Sequence, residues 1–268
     1  MLKLIITIAP LLIFSSGNLI AQKKLQDKFR YRATYQITAQ LDSLDKEFIV
    51  KEESHLFIGN KISSFSSKAM LVDRTIKTHK NVASTPRNAI TEFPFIIIKN
   101  KEKDILYYLQ KIGNNDFMYE ELLNQFDWEI LEEYKQIGKY NCQKGTVNWG
   151  GRTFIAWFTL ELSLTEGPHK FYGLPGIIVY LHDSKGHYKY ELTAFEKLAE
   201  PLVFQLNLKD YLKVSKVKLK KESDSYFLFP NAYLNNPNVK MSPKVRNTYK
   251  KVFKERFEQR NNPIEFIK

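Results

Sequence analysis

A long alternation of apolar and polar side chains restricts the fold of this chain more than any other sequence feature. It runs from Phe29 to Gln40, and polar residues separate its apolar ones. Successive side chains of a β-strand point to opposite faces of the sheet, so the pattern predicts a strand with one buried and one wet face. The face predicted to be buried carries Phe29, Tyr31, Ala33, Tyr35, Ile37 and Ala39.

Further segments predict strands that pair with their sequence neighbours. Residues 93–98 and 105–110 flank a polar turn, and 177–181 and 187–195 flank another. Gly150-Gly151 separates two apolar stretches, and glycine supplies the positive φ of a two-residue hairpin turn. This register places Val147 opposite Phe154 and Lys144 opposite Trp157. Aromatic residues, which suit sheets, make up 14% of the chain.

Helical signals are few. Residues 70–80 are compatible with a short helix, whereas the lysines at 213, 216, 218 and 220 alternate with apolar residues as on an exposed strand. Ser242-Pro243 predicts the start of a helix that extends to about Arg260. We expect its apolar stripe to dock on the sheet, with attachment to an anionic membrane surface as the alternative. The stripe consists of Val245, Tyr249, Val252, Phe253 and Phe257.

The predicted fold class is therefore mainly β, a β-rich α+β protein. We expect an antiparallel curved sheet or half-open barrel with a C-terminal amphipathic helix. The sequence shows no internal repeat and no linker of low complexity, so residues 22–268 are expected to form a single domain.

The N-terminal residues predict export. Lys3 precedes an apolar run from Leu4 to Phe14, and the segment ends in Ala21-Gln22. A cationic start, a short apolar run and a small residue are typical of a cleavable signal peptide, here residues 1–21. The run is shorter than a bilayer span, so no membrane-spanning segment is expected after cleavage near Ala21. The expected location is the periplasm or the medium.

Cysteine content and charge limit the chemistry and the partners. Cys142 is the single cysteine, so an internal disulfide is excluded and a silent buried thiol is expected. The net charge of +12 favours an anionic envelope component as a partner, with simple solubility as the alternative. Export and the absence of a nucleic-acid-binding motif make nucleic acid an unexpected partner.

One segment carries the landmarks of a known family. Gly151-Arg152 and Ala156-Trp157-Phe158-Thr159 are followed by Gly167-Pro168-His169-Lys170-Phe171. The motif Gly173-Leu174-Pro175-Gly176-Ile177-Ile178 comes next. Together these elements resemble the GLPGLI family of exported bacterial proteins, with Ile177 replacing a leucine. The resemblance is closest over residues 127–198. It implies export and a β-rich fold, and it supplies neither an established activity nor a catalytic residue.

The motif at residues 173–178 predicts a structural turn. Pro175-Gly176 predicts a type II turn, in which glycine allows positive φ at the second central position. If that turn lines the mouth of a pocket, Trp157, Phe171, Tyr172 and His182 are the candidate pocket residues. No catalytic residue, metal ligand or cofactor is predicted.

Two functions remain open at this stage. The first is a non-enzymatic envelope protein that binds an apolar or amphipathic ligand or an outer-membrane partner. The second is a hydrolase of unrecognised type that uses His182, Asp183 or His187. The same three residues are also a weaker candidate for a metal site. Glu161 and Glu166 are a still weaker candidate for the carboxylate pair of a glycoside hydrolase.

Overall fold

The alternating segment forms the first and central strand of a large open sheet. A computed structural model of the protein describes residues 24–70, 91–230 and 242–267. Within these ranges the strands are β1 Lys24–Gln40, β2 Ile49–Ile58, β3 Ile62–Ser67, β4 Phe95–Asn100, β5 Ile105–Ile112, β6 Asn115–Leu122, β7 Glu129–Ile137, β8 Tyr140–Trp149, β9 Arg152–Thr159, β10 Ile177–Asp183, β11 Tyr188–Asn207 and β12 Leu212–Lys213. The helices are α1 Lys216–Leu228 and α2 Pro243–Glu258, and Leu208–Asp210 form a 3₁₀ turn.

The strand order is β12-β6-β5-β4-β3-β2-β1-β11-β10-β9-β8-β7. All neighbours pair antiparallel except β12, which lies parallel to β6. Every hairpin predicted from sequence is present. In the β8–β9 hairpin Val147 pairs with Phe154 and Lys144 with Trp157, in the expected register.

The sheet is strongly curved. Phe65 on β3 and Tyr190 on β11 are three strands apart in the order, which is about 14 Å in a flat sheet. Their ring centroids are nevertheless 6.3 Å apart. The expected half-open barrel is therefore correct, and its concave face holds the main core.

From Ala33 to Ala39 the buried side chains of β1 are the predicted ones. At the start of the strand the buried face differs from the prediction. Tyr35 and Ile37 are fully buried in the concave core. Phe29 instead packs with Phe57 and Phe204 in a second core. The pairing of β1 with β11 shifts register between Phe29 and Tyr31, and such a bulge changes the face to which the following side chains point. Phe29 is therefore buried, as predicted, but it does not share a face with Tyr35 and Ile37.

The exposed strand predicted for the lysine-rich segment was wrong beyond the short β12 at Leu212–Lys213. The lysine-rich segment is helix α1 from Lys216 onward, because the Ser215 side chain accepts a hydrogen bond from Lys218 N and caps the helix. Leu219 then packs beside Ile112, Phe117 and Tyr119.

Helix α2 begins where the sequence predicts, with Ser242 as its cap. Its apolar stripe contacts α1 rather than the sheet, since the Phe253 ring lies 5.3 Å from Tyr226 and 6.1 Å from Phe227. The short helix expected at 70–80 lies almost entirely outside the described residues. Among the residues that the structure describes, no helix combines the length and apolar composition that a membrane crossing requires.

Candidate functional site

The connection between β9 and β10 passes through the inside of the half-barrel. Its residues 166–171, called the inner segment below, are all buried. The Ile178 amide donates to the Glu166 carbonyl at 3.0 Å, and the Phe171 amide donates to the Pro168 carbonyl at 3.1 Å. The segment is therefore a tight turn fixed to β10. It places polar residues in the interior of the half-barrel, which in a sheet protein is normally apolar.

A buried ion pair holds the start of the inner segment. Lys99 Nζ on β4 lies 3.5 Å from Glu166 Oε2 and donates to the carbonyls of Gly167 and Phe171 at 2.7 Å each. Lys101 also reaches Glu166, at 3.2 Å. Burial lowers the pKa of Lys99 to about 8, although Glu166 favours its charged form. These contacts satisfy the ammonium and fasten the segment to β4.

A second charged cluster holds the other end of the turn. Lys170 Nζ lies 2.5 Å from Glu121 and 2.8 Å from Glu265, and Lys216 of α1 binds the same two carboxylates. Burial lowers the pKa of Lys170, and the two lysines keep the pKa of Glu121 below its ordinary value despite its own burial. The cluster joins the inner segment, β6, α1 and the C-terminal residues.

Above this cluster lies a cavity of about 380 Å³ between the sheet, the two helices and the C-terminal residues. Aromatic residues form the largest group in its wall. The aromatic residues that line it are Phe93, Phe95, Tyr108, Tyr119, His169, Tyr188, Tyr190, Tyr226, Phe227 and Phe253. Ligand sites in proteins are commonly cavities of roughly 300–1,000 Å³ with apolar walls and a few polar groups. This cavity has both properties, so it is the candidate binding site.

His169 is the strained residue of this wall. Its φ is 52°, in the left-handed region that side chains other than glycine seldom adopt. The ring packs edge-on against Phe95 at 5.3 Å, and its Nδ1 is buried without a hydrogen-bond partner among the described residues. Burial, with Lys170 and Lys99 nearby, moves the pKa of His169 well below its usual range. The imidazole is therefore neutral at pH 7, and strain of this kind often marks a functional position.

The four pocket candidates from sequence lie away from this cavity. Phe171, the last residue of the inner segment, is fully buried in the main core, and the Tyr172 carbonyl accepts a hydrogen bond from Trp128 Nε1. Trp157 lies under the ammonium of Lys135, and the His182 ring packs on Tyr180. None of the four is among the described residues that line the cavity.

None of the six GLPGII motif residues lines the cavity. Leu174 is buried and contacts the position of Gly145 on β8. Positive φ occurs at Gly173, at 102°, and not at Gly176. The type II turn expected at Pro175-Gly176 was therefore wrong. Gly176 is required for another reason, because a Cβ there would lie 1.9 Å from the Thr159 carbonyl oxygen.

The residues of the hydrolase alternative are only partly brought together. Arg152 Nη1 stands between Asp183, at 2.9 Å, and His187, at 3.3 Å. Asp183 also accepts the Tyr188 amide at 2.8 Å. His182 is the neighbour of Asp183 on β10, so its side chain points to the opposite face. The Asp183 carboxylate is thus committed to an arginine and to backbone, as in a structural ion pair.

The other candidates from sequence are also placed by the structure. Glu161 is exposed and accepts the Asn141 amide at 2.8 Å, whereas Glu166 is buried in its ion pair with Lys99. Cys142 is buried, which raises the pKa of its thiol to about 11. No group of three or more His, Cys, Asp or Glu side chains that could hold a metal occurs within residues 24–70, 91–230 and 242–267.

His169 and Lys170 were named from the sequence only as family landmarks, without a role. The aromatic wall was not predicted. One signal was available, since Lys99 follows three isoleucines in a strand that is buried on both faces. A lysine in such a strand needs a buried partner. The contributions of β5, β6 and the two helices had no signal, because distant segments supply them.

Comparison with known proteins gives one family match and distant similarities in fold. A family described as a protein of unknown function (Porph_ging) matches residues 149–180, which contain the inner segment and the GLPGII motif. No curated protein matches the chain.

Two solved structures of PNGF-II are similar to this chain. Their sequence identities are 15% and 14%, their TM-scores 0.49 and 0.50, and they cover 74% and 72% of this chain. The chain spans 33% of each PNGF-II chain, about a third of its length. At this identity the similarity concerns the fold alone.

Proposed function

We propose that this protein is an exported, non-enzymatic binding protein that holds a small amphipathic ligand inside the half-barrel. The observation that carries the proposal is the aromatic cavity of about 380 Å³ between the sheet and the two helices. Aromatic rings supply a large contact area, and such walls favour a ligand with an apolar body.

The polar groups of the wall favour an amphipathic ligand over a purely apolar one. Tyr108, Tyr119 and Tyr190 add hydroxyl groups to the aromatic surface, and His169 adds a neutral imidazole. A ligand without polar atoms would leave these groups without partners, and unpaired buried polar groups are costly.

The rigidity of the inner segment, which forms the floor of the cavity, also supports binding. The inner segment is fixed on one side by Lys99 and on the other by Glu121 and Glu265. A rigid floor of this kind lets a site keep its shape without a ligand, which reduces the ordering cost of binding. Helix α2 contacts α1 through a few rings, among them Phe253, so we assign the adjustable part of the wall to the helices.

Export and family membership are part of the same proposal. The N-terminal pattern over residues 1–21 and the resemblance to the GLPGLI family support a periplasmic or secreted protein. The family match at 149–180 covers the segment that builds the cavity floor. Mass spectrometry of the protein exported by a Gram-negative host should find a mature N-terminus close to Gln22. An intact Met1 in the membrane fraction would contradict export.

Blocking the cavity tests the binding function. Ser223 of α1 lines the cavity and Ser225 does not, and two positions apart on a helix they face different directions. The Ser223→Trp variant fills the cavity, and Ser225→Trp is the matched control. We expect wild type and Ser225→Trp to bind the neutral fluorescent probe N-phenyl-1-naphthylamine saturably, and Ser223→Trp to lose at least tenfold in affinity. Equal binding by the two variants, or none by wild type, would refute the proposal.

A further inference from the structure

The cations that line the cavity differ in their partners. Lys170 and Lys216 share the carboxylates of Glu121 and Glu265. Lys220 binds Asp224 at 2.5 Å, and Arg260 binds Glu92. Arg256 of α2 also lines the cavity, and no ion pair joins it to an acidic side chain of the described residues. Its guanidinium is therefore the unpaired cation of the described wall.

The acidic groups of the wall are already neutralised. Glu92 is bound by Arg260, and Glu265 by two lysines. An anion that enters the cavity therefore meets no unpaired carboxylate among the described lining residues.

The net charge of the two helices also favours an anionic ligand. Helix α1 carries four basic and two acidic side chains, and α2 carries six basic and two acidic ones. Both helices form part of the cavity wall, and each carries a net positive charge. A positive potential attracts anions and raises their rate of entry.

We infer that the natural ligand is an anionic amphiphile whose acid group binds Arg256 while its apolar body lies among the aromatic rings. The inference rests on the proposed function and narrows its ligand class. Arginine presents a planar fork of donors that matches a carboxylate or a phosphate. The shared chemistry is a negatively charged head on an apolar body of a size that fits about 380 Å³.

Three amphiphiles of equal chain length test the charge of the head. Decanoate, decan-1-ol and decyltrimethylammonium are titrated into the mature protein by calorimetry, below their micellar concentrations. Phosphate-headed decyl phosphate is added as a fourth ligand to distinguish the two acid types. We expect decanoate or decyl phosphate to bind wild type about tenfold more tightly than the alcohol, and the cation to bind least.

Two arginine variants identify the group that recognises the head. Arg256→Gln removes the unpaired cation, and Arg246→Gln removes an exposed arginine of the same helix that does not line the cavity. We expect Arg256→Gln to lower anion affinity about tenfold and to leave the alcohol unchanged, and Arg246→Gln to change neither. Melting temperatures of both variants should equal that of wild type, since both side chains are exposed.

The possible results distinguish the anionic ligand class from the binding function itself. If the alcohol binds as tightly as the acids, or if Arg256→Gln has no selective effect, the anionic ligand class is wrong and the binding function stands. If none of the four amphiphiles binds wild type, both the ligand class and the binding function are wrong.

Discussion

The ammonium of Lys99 lies 3.5 Å from the carboxylate of Glu166, with both side chains buried inside the half-barrel. One group belongs to β4 and the other to the inner segment, 67 positions later in the chain. The pair fixes a polar turn in the centre of an otherwise apolar sheet. Because the inner segment also carries His169 and Lys170, this contact positions the floor of the candidate site.

Removing one partner of this pair should destabilise the protein strongly. Lys99→Met leaves Glu166 buried with Lys101 and the Ser63 hydroxyl as its remaining partners, and breaking a buried ion pair in this way costs about 3–5 kcal/mol. The control is Lys61→Met, whose exposed ion pair with Glu102 should contribute little. Urea unfolding measures both. A midpoint for Lys99→Met equal to that of the control would show that the pair does not stabilise the fold.

The last glycine of the GLPGII motif should tolerate no side chain. In Gly176→Ala the new Cβ would meet the Thr159 backbone, which cannot move without breaking the pairing of β9 with β10. We expect a loss of about 3 kcal/mol in the free energy of unfolding. Gly138→Ala is the control, since its Cβ would meet open space. Its only penalty is the strain of a left-handed φ at alanine, about 1 kcal/mol in the free energy of unfolding. Equal losses in thermal melts would show that contact with Thr159 is not the constraint.

Stability should fall in mild acid because of His169. Its pKa is held far below 6.5 in the folded protein, so between pH 7 and 5.5 the unfolded chain binds a proton there that the folded chain does not. Unfolding is therefore favoured as the pH falls through 6.5.

The variant His169→Asn isolates this contribution. Asparagine tolerates a left-handed φ and does not titrate. We expect the variant to lose about 1 kcal/mol less stability than wild type between pH 7 and 5.5. His55, whose pKa is also lowered by burial, is retained in both proteins. Identical pH dependence of wild type and variant in urea unfolding would show that His169 is not the responsible group.

The sequence alone determined the local elements of the fold. Period-two patterning identified β1, and Gly150-Gly151 identified the β8–β9 hairpin with its register. The Ser242-Pro243 pair identified the start of α2. These features depend on backbone preferences and on side chains that are near each other in the chain, so they can be read without knowledge of the tertiary fold.

The tertiary structure decided the points at which these local signals failed. The lysines around Lys216 alternate as on a strand, but the Ser215 cap and the contacts of Leu219 with β5 and β6 make the segment helical. Phe29 leaves the main core because a bulge interrupts its pairing with β11. The contacts of Leu219 and the pairing of β1 with β11 join distant segments and outweighed the local pattern, whereas the Ser215 cap is itself a local feature.

The candidate site itself was decided almost entirely by tertiary structure. Its residues come from β4, β5, β6, β11, the inner segment, both helices and the C-terminal residues, and no spacing in the sequence relates them. The sequence determined that the protein has a curved antiparallel sheet and identified Gly167–Phe171 as a family landmark, but it did not predict the buried polar turn there. Only the folded chain could bring Lys99 and Glu121 to that turn and Arg256 to the cavity above it, because burial and charge pairing act between residues that meet in space.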